Sequence, residues 1–175
     1  LRLILQCGYE ALHMGGLRRS LISGESVGVY VGIERPDWAM MQAQKSRLRE
    51  PTGTAASSSS FSATNSAVAI ASGRFSYIFG LQGQCLSVDT ACSSSLTALH
   101  YAFKDTYGDA VVSSNSNIEY LASVIAVGLK LHPQVTLDAA AGGMLSEDGR
   151  CKTFDARANG YVRSEVVGAI TLAST

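Results

Sequence analysis

Charge is scarce in this 175-residue sequence: Asp, Glu, Lys and Arg make up only 16% of it, fourteen basic residues against fourteen acidic. A formal net charge of zero offers no electrostatic attraction to nucleic acid or to an anionic membrane surface. Long apolar runs are also missing. No uninterrupted hydrophobic stretch approaches the ~20 residues of a spanning helix, and no signal-peptide pattern is visible. The four cysteines, Cys7, Cys85, Cys92 and Cys151, include no CxxC pair and no Cys/His grouping at metal-ligand spacing. A domain of this length needs no disulfide framework, so reduced thiols in an intracellular compartment are the expectation. No repeat of solenoid type is present.

What is present is an apolar excess. Hydrophobic residues make up 46% of the chain, and the mean hydropathy is +0.14. Apolar surface destined for a partner, or for further sequence, would account for it. Leu1 already lies inside a helical pattern, and Thr175 follows directly on an apolar run, so both ends read as cut.

Hydrophobic periodicity sets the expected elements. Residues 1–14 put Leu1, Ile4, Leu5, Gly8 and Leu12 on one helical face, and Gly15-Gly16 supplies the stop. Val27-Gly28-Val29-Tyr30-Val31-Gly32-Ile33 is short, β-branched and apolar, as a buried strand requires. Residues 34–50 are polar and mixed, a surface helix or an excursion. Residues 52–66 are rich in Ser, Thr and Ala, as a linker would be. The apolar run Ala67-Val68-Ala69-Ile70-Ala71 that follows at once argues instead for a buried helix, capped by Asn65 or Ser66. Residues 85–89 read as a strand, and 92–104 as a helix with Leu96, Leu99 and Phe103 on one face and Ala98 and Ala102 close by. Strands are expected at 121–129 and 166–172. Strands alternating with helices predict an α/β layered fold around a largely buried sheet.

The segment Ser87-Val88-Asp89-Thr90-Ala91-Cys92-Ser93-Ser94-Ser95-Leu96 carries the chemistry. It runs from a strand through a tight turn into a helix whose first turn is expected to hold Cys92. Orphan N–H groups and the positive end of the macrodipole stabilise an anion there. That favours the thiolate, the nucleophilic form. The same N–H groups can hold an oxyanion when a thiolate attacks a carbonyl. Serine hydrolases present their nucleophile on an analogous turn. Position alone leaves a small buried cysteine as an equal alternative, since free Cys is among the most buried residue types.

The neighbouring residues break that tie. Asp89-Thr90-Ala91-Cys92-Ser93-Ser94-Ser95-Leu96 resembles the active-site motif of β-ketoacyl synthase (ketosynthase) domains from type I polyketide and fatty acid synthases. Upstream, Ser72-Gly73-Arg74-Phe75-Ser76-Tyr77 and Phe79-Gly80-Leu81-Gln82-Gly83 are similar to the family's lead-in to its active-site strand. Downstream, Met144-Leu145-Ser146, Asp148-Gly149-Arg150-Cys151-Lys152-Thr153-Phe154-Asp155-Ala156-Arg157-Ala158 and Gly160-Tyr161-Val162-Arg163 continue the likeness. Three departures stand out: Ser164-Glu165-Val166 where Gly-Glu-Gly is customary, Gln84 where proline is common, and Ala126-Val127-Gly128-Leu129-Lys130 in place of a Gly-Gly-Val turn. None touches Cys92.

The resemblance implies a thiolase-like fold, layered α-β-α-β-α in two related halves, of which residues 1–175 would be the N-terminal portion of a ketosynthase domain without its C-terminal half. It makes Cys92 the acyl-accepting nucleophile of a decarboxylative Claisen condensation with a malonyl thioester. No cofactor is implied for the domain itself; substrates ride on the phosphopantetheine of an acyl carrier protein. The partners implied are that carrier protein, acyl and malonyl thioesters, and a second copy in a homodimer of the parent domain. The expected location is the cytoplasm, or a plastid in a eukaryotic host. The family's two catalytic histidines sit in His-Gly-Thr-Gly-Thr and Asn-(x)-Gly-His motifs, which do not occur here. His13, His100 and His132 lack the matching neighbours, and the fragment alone is not expected to turn over. Other classes remain in play: a non-catalytic or truncated ketosynthase-like structural partner, and a coenzyme-A-dependent thiolase or chalcone-synthase type. Cys85 is expected to be a buried strand residue, and Cys151, Lys152 and Asp155 to be structural. Asp89 and Thr90 are expected to fix the turn, Glu165 to pair with Arg163, and Met144 to sit in core, with lining an acyl pocket as its alternative.

Overall fold

The computed structural model describes residues 1–34, 37, 38, 40, 41, 44, 67–107 and 120–174. The described residues fall into two compact units. The first is drawn from Leu1–Pro36, Ala56–Val127 and Val167–Thr175, the second from Asp37–Ala55 and Gly128–Val166.

In the first unit, β1 (Val27–Ile33) is the centre of the architecture. Its continuous apolar run belongs to a strand covered on both faces. It pairs in parallel with β2 (Cys85–Val88), Val29 opposite Cys85, and with β3 (Leu121–Gly128), Val29 opposite Ser123. With β4 (Val166–Ala173) the sheet order is β2-β1-β3-β4. The Ser174 N–H donates to the Tyr120 carbonyl at 3.1 Å, so the end of β4 meets the start of β3 and the two run antiparallel.

Alternation along β1 sends Val27, Val29 and Val31 to one face. There α1 (Arg2–Met14) and α3 (Ile70–Phe79) bury Ile4, Leu12 and Phe75 against them. Gly8 permits this approach, because a Cβ there would lie 2.3 Å from the Phe75 ring. A short α2 (Arg19–Ile22) adds Ile22 to the same core. Tyr30 points to the other face, fully buried against Ala98 and Ala102 of α4 (Ser94–Tyr107). The unit is thus helix, sheet, helix.

Several expected boundaries shift. The helix anticipated at residues 67–71 starts at Ile70 with Ala69 as N-cap and runs to Phe79, where Gly80 closes it in the left-handed region at φ 71°. Asn65 and Ser66, like residues 52–66 generally, lie outside the described residues, and of residues 34–50 only a few are described. The sheet is buried at β1 and β3 but half-open at the edges β2 and β4. Cys85 accordingly is exposed on edge strand β2, not buried in the core.

The second unit contains a helix the periodicity did not flag, α5 (Pro133–Ala141). Pro133 at its first position and His132 as its cap, the ring Nδ1 accepting the Gln134 N–H at 3.2 Å, are its local signals. The buried Asp37 carboxylate accepts the Leu131 N–H at 3.1 Å and holds the approach to this helix. Further on, Leu145 bridges Tyr161, and the Ser146 hydroxyl donates to Asp148 at 2.6 Å. Lys152 reaches Asp148 at 2.8 Å. Its bond, then that of Ser146, hold the Asp148 carboxyl well below the usual range, at about 2.

Candidate active site

Strand β2 ends at Val88 and α4 begins at Ser94, so Cys92 stands in the turn between them, two residues ahead of the helix rather than within its first turn. Helix bounds commonly differ by this much, and the opening turn still lies immediately after it, with the Ser93 and Ser94 N–H groups already donating to the Thr90 and Ala91 carbonyls at 3.3 and 3.0 Å. Cys92 is exposed and unbridged.

The turn is held by short side chains. Ala91 has φ 55°, in the left-handed region, which costs a non-glycine residue on the order of 1 kcal/mol. Asp89 Oδ1 accepts the Ala91 N–H at 3.0 Å. The buried Ser94 hydroxyl accepts the Thr90 N–H at 2.9 Å and donates to the Ala91 carbonyl at 2.6 Å. Ser93 Oγ donates to the Thr90 carbonyl at 2.7 Å. Thr90 and Thr97 join their hydroxyls at 3.0 Å. Asp89 and Thr90 thus act as expected, and the serines after Cys92 do more than follow it. Sequence reasoning passed over Ser93, Ser94 and Thr97; their signal was the density of hydroxyls at a strand-to-helix junction.

Helix α4 meets the sheet through small residues, Ser94, Ala98 and Ala102, and leaves Leu96 67% exposed and Phe103 55% exposed. This corrects the expected inward face. At the far end, the Tyr30 hydroxyl donates to Asp105 of α4. Burial, then the bonds to Asp105 and Tyr120, push the Tyr30 phenol above its ordinary value.

The remaining candidates separate from the turn. The Cys85 thiol lies 3.2 Å from Ser72 Oγ, and Cys151 accepts the Val162 N–H at 3.2 Å. Arg163 donates to Thr136 at 3.1 Å and Glu165 accepts the Lys130 N–H, so the anticipated pair of these two does not form. Lys152 pairs with Asp148, and Asp155 with Arg157 at 2.8 Å, both structural contacts. Met144 is 48% exposed rather than core. His13 sits beside Tyr9, His132 caps α5, and His100 lies edge-on to Tyr101 on the exposed side of α4. Among the described residues no group of three or more His, Cys, Asp or Glu forms a metal site, and no helix is long and apolar enough to cross a membrane.

Residues 1–175, the whole chain, match the family described as beta-ketoacyl synthase, N-terminal domain. The chain belongs to the β-ketoacyl synthase family. This ketosynthase sequence is 36% identical over 171 residues to the phthioceranic/hydroxyphthioceranic acid synthase of Mycobacterium tuberculosis H37Rv, covering 98% of this chain and 7% of that protein. It is 34% identical over 172 residues to a mycocerosic acid synthase-like polyketide synthase of Mycolicibacterium smegmatis, again covering 98% and 7%. Among solved structures, the ketosynthase from module 6 of the bacillaene synthase of Bacillus subtilis 168 superposes with a TM-score of 0.78 at 31% identity, over 99% of this chain and 26% of that one. The oxazolomycin ketosynthase domain of Streptomyces albus JA3453 gives a TM-score of 0.74 at 34% identity, over 97% and 26%. The fold is therefore the thiolase-like α/β fold of polyketide-synthase ketosynthases, and the chain spans about a quarter of those ketosynthase structures.

Proposed function

We propose that this chain supplies the acyl-accepting part of a β-ketoacyl synthase acting in polyketide or fatty acid assembly, with Cys92 as the nucleophile. The observation that carries the proposal is the exposed Cys92 thiol on a left-handed turn directly ahead of α4. The thiolate adds to the carbonyl of an acyl thioester carried on phosphopantetheine. A backbone N–H at the turn other than those of Ser93 and Ser94, which already donate to carbonyls, holds the oxyanion, and collapse expels the carrier thiol to leave an acyl-Cys92 thioester. A malonyl thioester then loses carbon dioxide, and the resulting carbanion attacks the acyl carbonyl. The β-ketoacyl thioester departs and Cys92 is regenerated as thiolate.

The second half of that sequence needs groups that polarise the malonyl thioester carbonyl, which His13, His100 and His132 lack the motif neighbours to supply. We place them, with the rest of the domain, outside residues 1–175. The exposed Leu96, Phe103 and Ile170 are apolar surface that such a remainder would cover. On this proposal the full-length parent is a homodimer served by an acyl carrier protein, and the 175-residue chain alone does not condense.

The test is competitive alkylation of the full-length protein with substoichiometric iodoacetamide, read by peptide mass spectrometry. Cys92 should be modified ahead of Cys7, Cys85 and Cys151. Equal modification of all four in folded protein would refute the assignment.

A further inference from the structure

The Thr90–Thr97 hydroxyl contact joins residues on opposite sides of Cys92 and is not needed to form either element. Thr97 is the fourth residue of α4. Its hydroxyl meets that of Thr90 at 3.0 Å, two residues before Cys92. Its backbone N–H donates to the Ser93 carbonyl at 2.9 Å, one residue after Cys92. Thr97 therefore grips both flanks of the cysteine, and Ser93 Oγ closes the same ring by reaching Thr90 Oγ1 at 3.0 Å.

The post itself is fixed. A Cβ at Gly32 of β1 would lie 2.6 Å from the Ser94 carbonyl oxygen and 2.8 Å from Ser95 Cα, so the helix start rests directly on the strand backbone. The far end of α4 is tied to the same strand through Tyr30 and Asp105. A helix seated at both ends lets a hydroxyl on its first turn set the position of the turn before it.

We infer that Thr97 is a positioning residue for Cys92: its hydroxyl holds Thr90, and so the left-handed turn at Ala91, in the conformation that presents the thiol to the helix start. The inference rests on Cys92 being the nucleophile. Without the Thr97 hydroxyl the turn samples conformations in which the thiol is no longer presented at the helix start, and it meets an electrophile there less often.

Thr97→Val removes the hydroxyl at constant shape on a partly exposed helix position, and Thr97→Ser restores it. In the full-length protein, the rate of Cys92 alkylation by iodoacetamide is followed at fixed pH, with the exposed Cys85 and Cys151 as internal references. T97V should slow Cys92 by about threefold, the weight of a single neutral hydrogen bond. T97S should return the rate to wild type, with the reference cysteines unchanged throughout. T97V labelling Cys92 at the wild-type rate overturns the inference, as does T97S behaving like T97V. If wild-type Cys92 labels no faster than Cys85 and Cys151, the nucleophile assignment falls and takes this inference with it. A wild-type preference that T97V keeps removes only the role of Thr97. Should T97V fold poorly, Thr90→Val breaks the same contact from the other side, together with that of Ser93 to Thr90 Oγ1, and should slow Cys92 at least as much.

Discussion

Cys92 sits on a turn made almost entirely of small polar side chains, and its geometry depends on each of them. Ser94 is the one whose hydroxyl is buried and used twice, accepting from Thr90 and donating to Ala91. Ser94→Ala leaves the Thr90 N–H without this partner, while the Ala91 carbonyl keeps the Ser94 N–H, and should cost about 1–3 kcal/mol, measured as a shift in the urea midpoint. Tyr30 makes a second residue-level prediction. Its phenol is raised above the ordinary value of 10, so the folded state holds that proton more tightly than the unfolded chain. The resulting stability is complete below about pH 10 and is lost as pH rises beyond it. Thermal melts from pH 8 to 11 should show a steeper alkaline decline in wild type than in Tyr30→Phe; parallel curves would contradict this. Asp148 has the opposite sign. Its carboxyl is lowered from 3.8 to about 2, so its contribution is present above 3.8 and lost as pH falls through 2. An NMR titration of that carboxyl should move back toward 3.8 in Lys152→Ala.

At the scale of elements, periodicity read the strands well and one helix face poorly. Strand β1 has the bounds its apolar run predicted, because a parallel strand buried on both faces leaves no polar residue to blur the signal. Helix α4 misled because Leu96 and Phe103 recur at helical spacing, yet the sheet is met by Ser94, Ala98 and Ala102. Close approach selects small residues, and Gly32 is the strand's side of that contact. Gly32→Ala has only backbone to push against and should cost about 1–3 kcal/mol, with far-UV signal retained and Cys92 alkylation slowed. Gly28→Ala meets a side chain instead, its Cβ falling 2.7 Å from the Tyr30 ring, which is buried and tied to Asp105 and so has little room to yield. The helix α5 escaped notice because Val135 and Ala139 give it too little apolar pattern, and its start is written in Pro133 and His132 instead.

For the whole molecule, the candidate site was legible from sequence only where motif and turn coincide. Cys92 and its flanking hydroxyls lie within one decapeptide, so chain order delivers them together. The two histidine motifs on which the proposal relies for the condensation step do not occur in residues 1–175. On the proposal, the exposed apolar side chains of α4 are surface that further sequence would cover; the chain spans about a quarter of the ketosynthase structures it matches. The most direct measurement is therefore acyl transfer to a single residue. The full-length protein, incubated with an acyl thioester and no malonyl donor, should accumulate one acyl group per chain, mapped by peptide mass spectrometry to Cys92, and Cys92→Ala should accumulate none. Acylation that maps to another residue, or that persists in Cys92→Ala, would contradict the account.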